Sequence, residues 1–167
     1  MASGRPADGM APIERLRRAA RRWAGEDLCE LSSDRPSFLW LYGSAMVEAS
    51  AEPDGTIVLR AFLVLGPTHK ARVREELEKS SRTLPAGRLE LDGEGDVVLV
   101  HSIPPDTDPD ELERAVQEIC LHADRLDDLL CARLGGIRSL DLFRYDVMSA
   151  IQAAGGPEPL EPLAGDT

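Results

Sequence analysis

Apolar residues recur at helical spacing near the start of the chain, at Ile13, Leu16, Ala20 and Trp23. Pro12 suits a first helical turn and Gly25 suits an end, so the spacing predicts a helix over 11–25. The period then changes to two. Residues 38–49 and 56–65 read as strands joined by "AEPDG", whose Pro-Asp-Gly is turn chemistry. Taken as continuous strands, they sort into faces. Leu39, Leu41, Ala45, Val47 and Ala49 share one face, as do Ile57, Leu59, Ala61, Leu63 and Leu65. These aliphatic rows are the expected core. The opposite faces carry Trp40, Tyr42 and Met46 on one strand, and Val58, Phe62 and Val64 on the other, with Arg60 among them. A sheet covered on one side only shows polar residues on its free side. This second face is therefore expected to be covered by a helix, a second subunit or a bound peptide.

The charged segment "THKARVREELEKSSRTL" has only Val73, Leu77 and Leu84 as anchors and predicts at most a short surface helix. A second hairpin follows in "RLELDGEGDVVLVHSI", turning at Asp92-Gly93-Glu94-Gly95. Next comes a long helix with Asp108 as N-cap, Pro109 in the first helical position, Glu111 in a capping box, and Gly135-Gly136 as the stop. A last helix is expected near 140–153, with Leu140, Phe143, Val147 and Ile151 on one stripe. Helix, hairpin, short helix, hairpin, long helix, helix is an α+β order with an antiparallel sheet.

The long helix holds the most conspicuous chemistry, "ICLHADRLDDLLCARLGG". On a wheel of about 100° per residue, Leu112, Val116, Ile119, Ala123, Leu126, Leu130 and Leu134 fall within roughly 40° of one line. Cys120 and Cys131 lie on one flank of that stripe and His122 on the other, so they share no metal. The two cysteines are about 16 Å apart along the axis, beyond the reach of a disulfide or one zinc. Asp124, Asp127 and Asp128 read as a solvated face. A carboxylate near Cys131 raises a thiol pKa and does not activate it. Leu121 lies nearly opposite the core line and Leu129 well off it, which marks a further contact surface for the last helix or a partner. His69 falls in the charged segment, and His101 shares a mostly apolar strand face with Val97, Leu99 and Ile103. There is no nucleophile elbow and no phosphate-binding glycine loop, so the sequence points away from an enzyme.

Charge narrows the picture further. The chain of 167 residues carries a net charge of −11. That argues against nucleic acid and against an anionic membrane surface as partners. The other face of the first helix carries Arg15, Arg17, Arg18, Arg21 and Arg22, a locally basic stripe. It is either a solvated face or a docking surface for an acidic partner or for the protein's own acidic helix. No run is long and apolar enough to span a membrane and the N-terminus lacks an apolar leader, so a cytoplasmic location is expected. The three cysteines lie in no metal-finger spacing and read as reduced thiols. Residues 1–9 and 155–167 are expected to be disordered, with one domain over 10–136 and an extra C-terminal helix over 137–154.

The order of elements, the strand-to-helix stretch "GDVVLVHSIPPD" and the helix containing "ADRLDDLL" and ending in "LLCARLGG" resemble the bacterial YbjN and type III secretion chaperone superfamily over about residues 11–136. The resemblance implies a sheet of 4–5 antiparallel strands flanked by an N-terminal helix and a long C-terminal helix, a break near Gly43-Ser44 supplying the fifth strand. It also implies a non-catalytic, chaperone-like module that binds a protein or peptide segment without a cofactor, and a homodimer. The expected contact residues are Trp40, Tyr42, Met46, Val58, Phe62, Val64, Leu121 and Leu129. The alternative is a regulatory or structural subunit that uses the sheet face for self-assembly.

Overall fold

The computed structural model describes residues 10–24, 29–31 and 36–153. The expected disorder at 1–9 and 155–167, and the proposed helix stop at Gly25, lie outside them. The elements run α1 (Pro12–Ala24), β1 (Cys29–Leu31), β2 (Ser37–Tyr42), β3 (Ala45–Ala51), β4 (Ile57–Val64), α2 (Lys70–Ser81), β5 (Arg88–Leu91), β6 (Val97–Ile103), α3 (Pro109–Leu134) and α4 (Ser139–Ala153). The sheet is antiparallel, with six strands in the order β1-β2-β3-β4-β6-β5. The α+β architecture and its two flanking helices are as expected. The short β1 adds a strand that periodicity had no length to reveal.

The break at Gly43-Ser44 is real, and it reverses part of the face assignment. Tyr42 pairs directly with Ala45 across a two-residue turn. Directly opposed residues share a face, whereas on one continuous strand residues 42 and 45 would point to opposite faces. Trp40 therefore lies opposite Val47, and Phe38 opposite Ala49. Phe38 and Trp40 (1% exposed) are in the core, and Tyr42 packs against it. The expected placement of Trp40 and Tyr42 on the second face is thus corrected, and so is the core placement of Leu39 and Leu41. Val64 is corrected for a different reason. The register shifts between Phe62 and Val64, a β-bulge at Leu63, so both Leu63 and Val64 are fully buried.

One core joins the sheet to α1, α2 and α3. It includes Ile13 and Leu16 of α1, Val73 of α2, and Leu112, Val116, Ile119, Ala123, Leu130 and Leu134 of α3. Their positions along α3 are the apolar stripe that the wheel predicts. Asp108 caps α3 by accepting the Asp110 N–H at 2.9 Å. The arginine stripe of α1 turns partly inward. Arg15 is buried and donates to the carbonyls of Thr107, at 2.9 Å, and Pro105. Arg17 lies 5.7 Å from the Phe38 ring centroid, and Arg22 pairs with Glu113 of α3. Arg18 and Arg21 are exposed.

The turn at Gly43-Ser44 is clasped by helices. Ser44 N–H donates to Asp124 Oδ1 of α3 at 3.1 Å, and the Ser44 carbonyl accepts the Leu140 N–H of α4 at 3.2 Å. Gly43 has φ +58, and a Cβ there would fall 1.7 Å from Asp124 Oδ1. The expected solvated acidic face therefore needs correction. Asp124 holds the turn and Asp127 is fully buried, while Asp128 is exposed and pairs with Arg138 at 2.6 Å. Asp127 Oδ1 accepts the Asp128 N–H at 2.6 Å. Its Oδ2 has no hydrogen-bond partner within bonding geometry among the described residues. Burial pushes the Asp127 pKa up, partly offset by the nearby Ser44 hydroxyl. Of the stripe expected on α4, Leu140 is half-buried and Phe143 is 51% exposed.

Two outcomes test this corner. Gly43→Ala should cost about 2 kcal/mol from the left-handed backbone and the carboxylate contact. Asp124→Ala should cost about 1 kcal/mol from the lost hydrogen bond. The double variant should cost less than the sum in denaturant unfolding, because removing the carboxylate opens room for the new methyl. Asp127 has a folded pKa above its unfolded value, so the folded state holds that proton more tightly. Its contribution to stability falls as pH rises from the ordinary carboxylate pKa through the raised folded one. Asp127→Asn should flatten that decline and stabilise the protein at neutral pH by about 1 kcal/mol, read from unfolding curves at several pH values.

Candidate functional site

The side of the sheet away from the core carries two cross-strand rows. Leu41, Met46, Phe62, Val98 and Glu90 form one, from β2, β3, β4, β6 and β5 in turn. Leu39, Glu48, Arg60, Val100 and Arg88 form the other. Val58 lies beside them, between Ser50 and Ser102. None of these apolar residues belongs to the core cluster, which draws its helical members from α1, α2 and α3. Leu39, Leu41, Met46, Val58 and Phe62 are half-buried, and Arg60 and Ser102 are exposed.

Val98 and Val100 are buried without joining the core. Their direct neighbours explain this. Val98 lies between Phe62 and Glu90, and Val100 between Arg60 and Arg88. Arg88 and Glu90 are held together at 2.7 Å. Long side chains lying along apolar surface shield the two valines and leave their charged ends at the water. Glu48 and Arg60, directly opposed, place charge beside the apolar row. The face is thus an apolar strip with polar handles.

The expected contact residues separate into three places. Met46, Val58 and Phe62 lie on this face, half-buried, and α4 also meets the strands β3 and β4 that carry them. Trp40, Tyr42 and Val64 belong to the core side. Leu121 (41% exposed) and Leu129 (40% exposed) lie on the outer surface of α3, in the opposite layer. Leu39, Leu41, Val98 and Val100 complete the strip. The signal for the first two is the Gly-Ser turn, read as a reversal of the chain instead of a flaw in one strand.

Cys120 is buried, and burial pushes its thiol up to about 11. Cys131 is also pushed up to about 11, by burial first and then by Asp127. Its Sγ lies 3.8 Å from the Leu63 carbonyl as a donor. Such thiols are protonated at neutral pH and poor nucleophiles. His69 precedes α2 and is exposed. His101 and His122 come together with Glu118 around a hollow of about 10 Å³. That is scarcely the room for one water. Burial lowers the His101 pKa against the opposing effect of Glu118. Among the described residues no group of three or more His, Cys, Asp or Glu is placed to hold a metal ion, and no helix is long and apolar enough to cross a membrane.

A comparison with curated proteins returned no match. A protein-family model does match. It is TY-Chap1, described as "T3SS (YopN, CesT) and YbjN peptide-binding chaperone 1", and it covers residues 24–142. The match starts at the last residue of α1 and ends in the first turn of α4, so it takes in the whole sheet, α2 and α3. With most of its residues under that model, the chain belongs to the TY-Chap1 family of peptide-binding chaperones.

Proposed function

We propose that this chain is a non-catalytic, chaperone-like module that holds a segment of a partner protein on the open face of its sheet, in the cytoplasm and without a cofactor. The observation that supports it is the row Leu41, Met46, Phe62 and Val98 on a face to which the core helices contribute nothing. A one-sided sheet normally keeps that surface polar. A contiguous apolar strip rimmed by charge is the usual mark of an interaction surface. The Glu48–Arg60 pair beside it supplies charged groups able to fix the register of a bound segment. Leu121 and Leu129 offer a further, separate contact on α3.

A homodimer closing over the same strip is the competing arrangement, and one pair of measurements separates the two. The protein is purified under mild conditions from the cells that make it, as wild type and as the double variant Met46→Gln, Phe62→Gln. Both positions are half-buried and outside the core, so the variant should keep its melting temperature to within a few degrees. The expected result is a reproducible partner protein with the wild type, bound about tenfold more weakly by the variant. A wild type that sediments as a tight dimer and a variant that sediments as a monomer, with no partner in either preparation, would assign the face to self-assembly instead.

A further inference from the structure

The first turn of α4 is its seat. Ile137 exchanges two backbone hydrogen bonds with Leu65, at 2.8 and 3.0 Å, so the chain is anchored up to that point. Beyond it, Ser139 Oγ donates to the Phe62 carbonyl at 2.9 Å, the Leu140 N–H donates to the Ser44 carbonyl, and Arg138 pairs with Asp128 and Asp141. Ser139 is buried and Leu140 half-buried, but every described side chain of α4 past Asp141 is exposed. A helix of 15 residues is marginal in water on its own, so α4 depends on this seat.

The seat rests on the Gly43-Ser44 turn, and beside that turn lies Asp127, fully buried and with one carboxylate oxygen lacking a partner among the described residues. The groups around it are Asp124, Asp128 and Cys131 from α3 and the Ser44 hydroxyl from the turn. Arg138, close enough to act on Cys131, is engaged by Asp128 and Asp141. With its proton on, Asp127 is a neutral group that suits its burial and can donate to the Ser44 hydroxyl. With its proton off, it is a buried charge beside two further carboxylates, one of which, Asp124, holds the Ser44 N–H.

We infer that Asp127 is a proton-operated latch for α4: protonated, it lets the Ser44 turn hold α4 in its seat, and ionised, it makes the turn yield and α4 come away from Arg138 onward. The sign follows from burial. The seated state encloses the carboxyl and binds its proton more tightly than the released state, where water reaches it. Seating is therefore strongest below the ordinary carboxylate pKa and weakens as pH rises through the raised one. Release would uncover the Ser44 and Phe62 carbonyls next to the Met46–Phe62 pair, and so open that end of the apolar row. The inference does not depend on what the row binds.

The test is amide exchange of the full chain from about pH 4 to about pH 8, each amide corrected for its intrinsic rate. Protection of the Leu140 amide should fall about tenfold relative to that of Ile119, in the packed part of α3, for each unit by which the seat raises the Asp127 pKa. In Asp127→Asn the two amides should keep a constant ratio. Ser44→Ala removes the hydroxyl that favours the charge, so it should move the midpoint of the Leu140 change to higher pH. A carbon-detected titration of the Asp127 carboxyl should follow the same midpoint in the wild type and in Ser44→Ala. Any of three results would overturn the inference: Leu140 and Ile119 losing protection in parallel, a fall at Leu140 that persists in Asp127→Asn, or a midpoint that Ser44→Ala leaves in place.

Discussion

Ser44 is held through both of its backbone polar groups, the N–H by Asp124 of α3 and the carbonyl by the Leu140 N–H of α4. This clasp fixes where β2 reverses into β3, and the reversal decides which side chains of β2 meet the core. A turn displaced by one residue would exchange Phe38 and Trp40 for Leu39 and Leu41 throughout the pairing. The two aromatic side chains would then have to leave a packed interior, where their large area stabilises the fold most. Gly43 suits the site because its positive φ and missing Cβ let the turn approach the Asp124 carboxylate. A small polar corner therefore governs the division of the sheet into a buried and an open side.

That division gives the molecule its two kinds of surface. On the core side, the strands meet helices that supply regularly spaced aliphatic side chains. On the other side, apolar residues persist where the core helices do not reach. Such persistence is costly in water unless something else uses it. Arg60, Arg88 and Glu90 moderate the cost by shielding Val98 and Val100, leaving Leu41, Met46 and Phe62 as the more accessible part. Membership in a peptide-binding chaperone family agrees with a face of this character.

Elements with strong periodicity or clear end signals were legible in the sequence. The α3 stripe, its Asp108 cap and its glycine stop are all present, as are α2 and the hairpin around Asp92. The core row of β4 was legible up to Leu63. Two local departures from period two escaped, and both move side chains across the sheet. The Gly43-Ser44 turn reversed the assignment of β2, and the bulge at Leu63 carried Val64 inward. Neither leaves a trace in hydropathy, because apolar residues occupy both faces of these strands. The buried state of Asp127 was invisible for a related reason. A helical wheel places it beside the apolar stripe but does not show that a turn from elsewhere in the chain packs over it.

Charge bears on how an apolar strip can face water. A net charge of −11 makes copies of the protein repel one another at long range, which opposes indiscriminate association through the strip. The repulsion acts between whole molecules and is weak against a neutral or basic segment, so it filters partners instead of closing the face. Lys70, Arg74 and Arg82 invert the sign locally beside the β5 edge, and Arg18 and Arg21 do so on α1. An acidic segment repelled by most of the surface would thus find few places to settle. For a segment bound at these surfaces, apolar area would supply the driving force, and the uneven distribution of charge would decide which chains are admitted.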